Sequence, residues 1–279
     1  MCCEIFNVMI KAVLAGVAIG WGGMLFTLTK WGALKLNSYF TTDDWTQPGQ
    51  IIGGCVFSVG LMIVCWFKLM LFTGKVGLMF ESKQDGFYFI SLLIMVVFNI
   101  GGALCVGLLS EWIFGRFDGY KEAVLAIVNL KSKFEDSNDY LKCCMNSLFC
   151  GVCVHLAVRG FVNCNNNFEK FVVIFWFVLL FVYSGFEHCI ANSFYFACAH
   201  MTKREVFINI ALAIGGNWLG TLPTSVLTVE LPISSTPTNN GNSTNGPNAH
   251  LSGDESSSTS ASDYIESYDK SNRRSHAMV

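Results

Sequence analysis

Apolar residues in this chain fall in long blocks rather than in alternation. Six blocks can be drawn, at about residues 10–28, 51–80, 87–109, 143–162, 171–201 and 206–227. A membrane-spanning helix needs about 20 such residues, and the second and fifth blocks run to roughly 30. Both long blocks are interrupted. The second carries Lys68 and Leu71-Phe72-Thr73-Gly74-Lys75, and the fifth carries Ser184-Gly185-Phe186-Glu187-His188. The third and sixth blocks each contain Asn-x-x-Gly, at Asn99 to Gly102 and Asn217 to Gly220. The pattern predicts an all-α membrane protein of six transmembrane helices in two three-helix repeats, with the second and fifth helices broken. An odd number of spans per repeat sets the halves in opposite orientation. Breaks at matched places in inverted halves point to a substrate site near the bilayer midplane. Non-helical backbone at that depth must be buried in protein or line a cavity.

The polar stretches set the boundaries. A loop at about 30–50 holds Asp43, Asp44 and Pro48, and a charged connection at 110–142 is amphipathic at most. Residues 1–233 form the expected transmembrane transport domain. From 234 to 279 the chain turns to Ser, Thr, Asn and Gly. Such a segment buries too little apolar surface to offset chain entropy, so a disordered tail is expected there. Asn242-Ser243-Thr244 matches a glycosylation acceptor, usable only on a luminal tail.

Composition narrows the class further. The chain of 279 residues is 52% hydrophobic and 14% charged, where a soluble domain carries about 25% charged residues. A net charge of −2 gives no basis for a nucleic-acid partner. Most of the 12 cysteines lie inside apolar blocks, where thiols pack as small apolar groups. Cys150-Gly151-Val152-Cys153 has the spacing of a redox or metal pair but lies within a block and has no second pair. No cofactor and no metal are expected.

The candidate chemistry sits at the second break. Glu187 and His188 lie side by side in the middle of an apolar run, where even the lenient insertion scale charges about 2.5–3.5 kcal/mol for an Asp. Intramembrane ionisable residues therefore mark a pathway by default. Imidazole, with a reference pKa near 6.5, can hold or release a proton at physiological pH. Glu187 is expected to bond local backbone and fix the broken turn. Each candidate has a plainer alternative: a core histidine, a Thr73 hydroxyl bonded within its helix, or Asn146 and Asn217 bonding across helices.

Taken together, these residues resemble the formate/nitrite transporter family. Leu71-Phe72-Thr73-Gly74 is similar to the family's first broken-helix motif. Gly185-Phe186-Glu187-His188-x-Ile190-Ala191-Asn192 is similar to the second and is the most specific match. Ala15-Gly16-x-x-Ile19-Gly20, Gly54-x-x-Phe57-Ser58-x-Gly60-Leu61, Asn99-x-x-Gly102-Ala103, Asn146 and Asn217-x-x-Gly220 follow in the family's order, so the resemblance covers about residues 11–227. The family's usual N-terminal interfacial helix is short or absent. Four positions depart from the pattern. Met70 replaces an acidic residue, Lys68 a small one, Lys75 an Asn and Ser193 a Met. Two added cations and one lost anion near the first break leave two readings, favoured anion capture or altered traffic.

The resemblance implies an aquaporin-like protomer assembled as a homopentamer in membrane lipid, with a pore in each subunit. It implies passage of small monocarboxylate or inorganic monovalent anions together with protons: formate, nitrite, acetate, lactate or hydrosulfide. Thr73 and His188 would meet at the pore centre. Phe57, Leu61, Leu71, Phe72 and Phe181 would form the constrictions, and Lys131, or else Lys133, would be the vestibule lysine. Both chain ends are expected in the cytoplasm. That puts Arg116, Lys121, Lys131, Lys133, Lys203 and Arg204 outside, against the positive-inside rule unless they form a funnel for anions. The rival functions are an aquaporin-like channel for neutral solutes, a non-transporting scaffold and an intramembrane enzyme. The first lacks paired Asn-Pro-Ala boxes, the second gives no reason for mirrored breaks, and the third lacks metal-ligand spacing.

Overall fold

The computed structural model describes residues 2–39, 46–77 and 86–229. All regular structure among them is helical: α1 (Cys2–Tyr39), α2 (Thr46–Trp66), α3 (Phe72–Lys75), α4 (Gly86–Phe114), α5 (Tyr120–Lys131), α6 (Ser137–Asn163), α7 (Asn167–Tyr183), α8 (Cys189–Cys198) and α9 (Arg204–Val229). The tail expected at 234–279, with its Asn242 acceptor, lies outside the described residues.

Among the described residues, five helices are long and apolar enough to cross a membrane: α1, α2, α4, α6 and α9. The fifth expected span, at 171–201, is divided between α7 and α8. α1 is longer than its apolar block, because Glu4, Lys30 and Lys35 flank the block without breaking the helix. The charged connection at 110–142 contains α5, which buries Tyr120, Ala123, Val124, Ile127 and Val128 on one side. That is the three-and-four spacing of an amphipathic helix. Tyr120 anchors it through bonds with Ser110 (2.7 Å) and Cys198 (3.3 Å), and burial raises its phenol pKa.

The first half packs α1 against α2 and α4, and the second half packs α6 against α7 and α9. The halves interlock where α8 lies on α4 and α3 on α6. Both breaks fold by the same bonds. After α2, the amides of Phe67, Lys68 and Leu69 donate to the carbonyls of Ile63, Cys65 and Val64. After α7, those of Ser184, Gly185 and Phe186 donate to Leu180, Val182 and Phe181 at the same offsets. The fourth bond leaves each turn for the first helix of its half: Met70 to Lys11 O and Glu187 to Asn146 O, both 3.4 Å.

The Asn-x-x-Gly pairs secure the resumed helices. Asn99 Oδ1 accepts from Phe72 N (2.8 Å), while its Nδ2 donates to the carbonyls of Ala12 (2.7 Å) and Met70 (2.9 Å). Asn217 Oδ1 accepts from Cys189 N (3.0 Å), while its Nδ2 donates to those of Ser147 and Glu187 (2.8 Å each). Non-helical backbone in an apolar bundle has no water to satisfy it, and these two amides take that place. The approach needs glycine on the facing helix, since a Cβ on Gly16 would overlap the Asn99 carbonyl and one on Gly151 the Asn217 carbonyl.

Candidate functional site: two broken helices meeting at Thr73 and His188

α3 and α8 begin close together inside the bundle. Thr73, in the first turn of α3, is fully buried, and His188 caps the N-terminus of α8 with 3% exposure. Their side chains are in contact, Thr73 Oγ1 to His188 Nε2 at 3.1 Å. His188 Nδ1 accepts the Ala191 amide at 3.2 Å. A neutral imidazole has one donor and one acceptor nitrogen. With Nδ1 accepting, the proton is on Nε2, which therefore donates to the Thr73 hydroxyl. That hydroxyl keeps its own hydrogen to offer.

Above the imidazole lies a cavity of about 340 Å³, lined by His188, Phe57, Phe181, Asn146, Asn192 and Lys131 among others. Phe181 stacks on His188 with ring centres 5.8 Å apart, and Phe57 meets Phe181 edge-on at 5.6 Å. Of the expected constriction residues, Phe181 thus stands over the ring and Phe57 lines the same cavity. Leu61, Leu71 and Phe72 are buried but lie outside this cavity's lining.

The cavity wall carries one ion pair in a polar net. Lys131 Nζ, at the end of α5, lies 3.0 Å from Glu187 Oε2. The same carboxylate oxygen accepts from Asn192 Nδ2 and from Asn209 Nδ2 (3.2 Å). Asn192 Nδ2 also donates to Asn209 Oδ1 (2.8 Å), and Asn209 Nδ2 to the Lys131 carbonyl (2.9 Å). This corrects the expectation for Glu187. Its amide and carbonyl do bond Asn146 and Asn217, but its carboxylate binds three side chains, because a buried carboxylate needs a cation and donors to offset lost hydration. Lys133 turns away and pairs with Glu135 at the surface, so of the two lysines it is Lys131 that reaches the cavity.

Asn146 contributes its carbonyl to the turn and also lines the cavity. Asn217 is wholly buried and serves as the anchor described above. Asn209 was not anticipated. Its signal was a second amide, in addition to Asn217, within the block at 206–227, and such a group needs a partner on another helix. Among the described residues, no three His, Cys, Asp or Glu side chains are grouped to hold a metal ion, and Cys143, Cys144, Cys150 and Cys153 are free thiols.

Two resumed helices meeting tip to tip in an apolar helical bundle, under a cavity with one buried ion pair, define a multi-pass membrane transport protein. The chain belongs to the formate/nitrite transporter family, whose profile matches residues 2–229. This is a family of transporters, not of enzymes. The match reaches nine residues nearer the start than the motifs did. A formate-nitrite transporter of Entamoeba histolytica is 26% identical over 222 residues, covering 75% of this chain; the chain spans 59% of that relative's length. A probable formate transporter of Methanothermobacter thermautotrophicus is 25% identical over 239 residues, covering 77% of this chain and 84% of the relative. The solved structure of a pentameric formate channel with formate bound shares the fold, with a TM-score of 0.64, 21% identity and coverage of 81% of this chain and 94% of the channel.

Proposed function

We propose that this protein is a channel-like transporter of small monovalent weak acids, formate, nitrite, acetate, lactate or hydrosulfide, with proton transfer at His188. The observation that carries the reading is the 3.1 Å contact between Thr73 and His188 beneath a cavity whose wall bears Lys131. A bare anion loses its water at apolar rings, at several kcal/mol after relaxation. Adding a proton removes most of that penalty.

The sequence of events follows from the groups present. Lys131 raises the local anion concentration in the cavity. The N-terminal ends of α3 and α8 favour negative charge, and Thr73 offers its hydroxyl hydrogen. His188 takes a proton from water on Nδ1, releasing the Ala191 amide, a change worth about 1 kcal/mol. The imidazolium then passes its Nε2 proton to Thr73 Oγ1 as the Thr73 hydrogen moves to the anion. The neutral acid moves past Phe57 and Phe181. The ring is reset when Nδ1 gives up its proton and Nε2 regains one from water.

The wider setting belongs to the same proposal. α7 and α8 together make the fifth span, the protomers form a homopentamer in the cell membrane like the solved channel, and the start of α1 and end of α9 face the cytoplasm. The basic residues of the opposite side then serve as the funnel for anions. Uptake of formate, nitrite, acetate and lactate into proteoliposomes across a pH series tests the reading. It expects at least one acid to enter faster as pH falls. Failure of all four to enter above protein-free liposomes would end it.

A further inference from the structure

Three charged side chains line the cavity: Lys30, Lys131 and Glu187. Lys131 and Glu187 hold each other at 3.0 Å and sum to zero. The net positive charge of the cavity therefore belongs to Lys30, on α1. Among the described residues, no carboxylate lies within ion-pair distance of its ammonium. Phe26 stands one helical turn before Lys30, on the same face of α1, and lines the cavity with it.

A hydroxyl is left over at the same place. Tyr195, on α8, is 4% exposed and lines the cavity too. Its ring meets Phe26 edge-on, with centres 6.1 Å apart. A buried tyrosine hydroxyl usually finds a partner. Those of Tyr88 and Tyr120 do, on the Lys75 carbonyl and on Ser110 and Cys198. Among the described residues, no group bonds the Tyr195 hydroxyl. Its partner is then supplied by whatever fills the cavity. Lys30 and Tyr195 both neighbour Phe26, so one small molecule can meet the two. The cavity's volume of about 340 Å³ far exceeds the roughly 30 Å³ share of a water molecule, which leaves room for an acid larger than formate.

We propose that Lys30 and Tyr195 form a binding subsite that gives this cavity a preference for 2-hydroxy monocarboxylates, such as glycolate, over acids without the hydroxyl, such as acetate. Lys30 takes the carboxylate, Tyr195 Oη donates to the hydroxyl oxygen on the next carbon, and the Phe26 ring covers the carbon skeleton. An acid without that hydroxyl strips the phenol of water and returns no bond. A site built to bond a substrate hydroxyl rejects the analogue that lacks it, more sharply than an apolar pocket tells acids apart by one methylene. The subsite rests on the transport reading above and says which weak acids that site favours.

The test measures KM for labelled acetate and glycolate in proteoliposomes holding the full chain, at neutral pH and low salt, with uptake into protein-free liposomes subtracted. The ratio of the acetate KM to the glycolate KM should be about tenfold higher in the wild type than in Tyr195→Phe, the effect of one hydrogen bond. Differences between the two acids themselves cancel in that comparison. Lys30→Gln should raise KM for both acids at least threefold, and Lys30→Arg should keep both low. Tyr195→Phe should melt with the wild type, since its hydroxyl has no bond within the protein to lose. The same KM ratio in wild type and Tyr195→Phe, or unchanged KM values in Lys30→Gln, would overturn the proposal. Should Lys30→Gln fail to fold, the ratio in Tyr195→Phe decides alone. Entry of formate without either acetate or glycolate would also overturn the subsite while leaving the transport reading in place. Entry of none of the three would refute the transport reading and the subsite with it.

Discussion

Lys131 Nζ and Glu187 Oε2 lie 3.0 Å apart, with side chains only 11% and 8% exposed. Removing one partner of a buried pair leaves a charge uncompensated, which costs about 3–5 kcal/mol. Lys131→Gln and Glu187→Gln should each destabilise the fold by about 3 kcal/mol, and the double variant should recover about 1–3 kcal/mol of the summed loss. Unfolding of the four proteins in mixed detergent and SDS measures this coupling. Strict additivity would show that the two groups do not act as a pair. In transport, Lys131→Glu should slow anion uptake most at low ionic strength, where screening is weakest. A rate indifferent to salt would remove Lys131 from capture.

Asn99 and Asn217 predict equal consequences in the two halves. Each satisfies one amide and two carbonyls, and a buried polar group left without its partner costs about 1–3 kcal/mol. Asn99→Ala and Asn217→Ala should both lower the melting temperature and abolish uptake, since each frees the start of a resumed helix. Asn99→Asp and Asn217→Asp keep the acceptor oxygen but set a buried carboxylate against two carbonyls, so they should destabilise at least as much as alanine. A stable, fully active Asn217→Ala protein would show that α8 is held by something else.

Glycine substitutions separate close approach from mere helix content. Gly16→Ala and Gly151→Ala push a Cβ into a neighbouring carbonyl, and overpacking of this kind costs about 1–3 kcal/mol. Gly101→Ala and Gly215→Ala meet nothing within 4 Å, so they should be neutral or gain about 0.5–1 kcal/mol from helix propensity. Thermal melting in detergent reads all four. Equal behaviour of the two pairs would contradict the helix contacts described here.

These contrasts show what the sequence could and could not convey. The breaks were legible because polar and glycine residues interrupt apolar blocks at matched places, and lipid gives a helix no other reason to be interrupted there. The Asn-x-x-Gly pairs were legible as a repeat, although which bonds they make depends on the path of the turns between helices. The Lys131 to Glu187 contact could not be read from composition. It joins a short interfacial helix to a mid-membrane turn, and nothing in local periodicity brings them together. Asn209 stayed hidden for a related reason: an amide in an apolar helix needs a partner, but its sequence does not say which one. The role given to Glu187 failed because the sequence showed the turn beside it and not the three donors converging from α5, α8 and α9.

His188 has two duties that variants can separate. Its Nδ1 caps α8 by accepting the Ala191 amide, and its ring is the proton carrier in the proposed cycle. Asparagine can also cap a helix through its side-chain oxygen, but it has no proton to exchange near neutrality. His188→Asn should therefore keep most of the stability while losing the part of the pH response that belongs to imidazole. In the wild type, uptake should rise as the assay pH falls from about 8 to 5, because each step down supplies more protons to the buried imidazole. The ratio of wild-type to His188→Asn uptake should climb over the same range, because the bulk protonation of the acid is common to both and cancels. His188→Phe should lose the cap as well, by about 1 kcal/mol, while preserving assembly. A flat ratio across the series would mean that the imidazole serves α8 alone and that the acid finds its proton elsewhere.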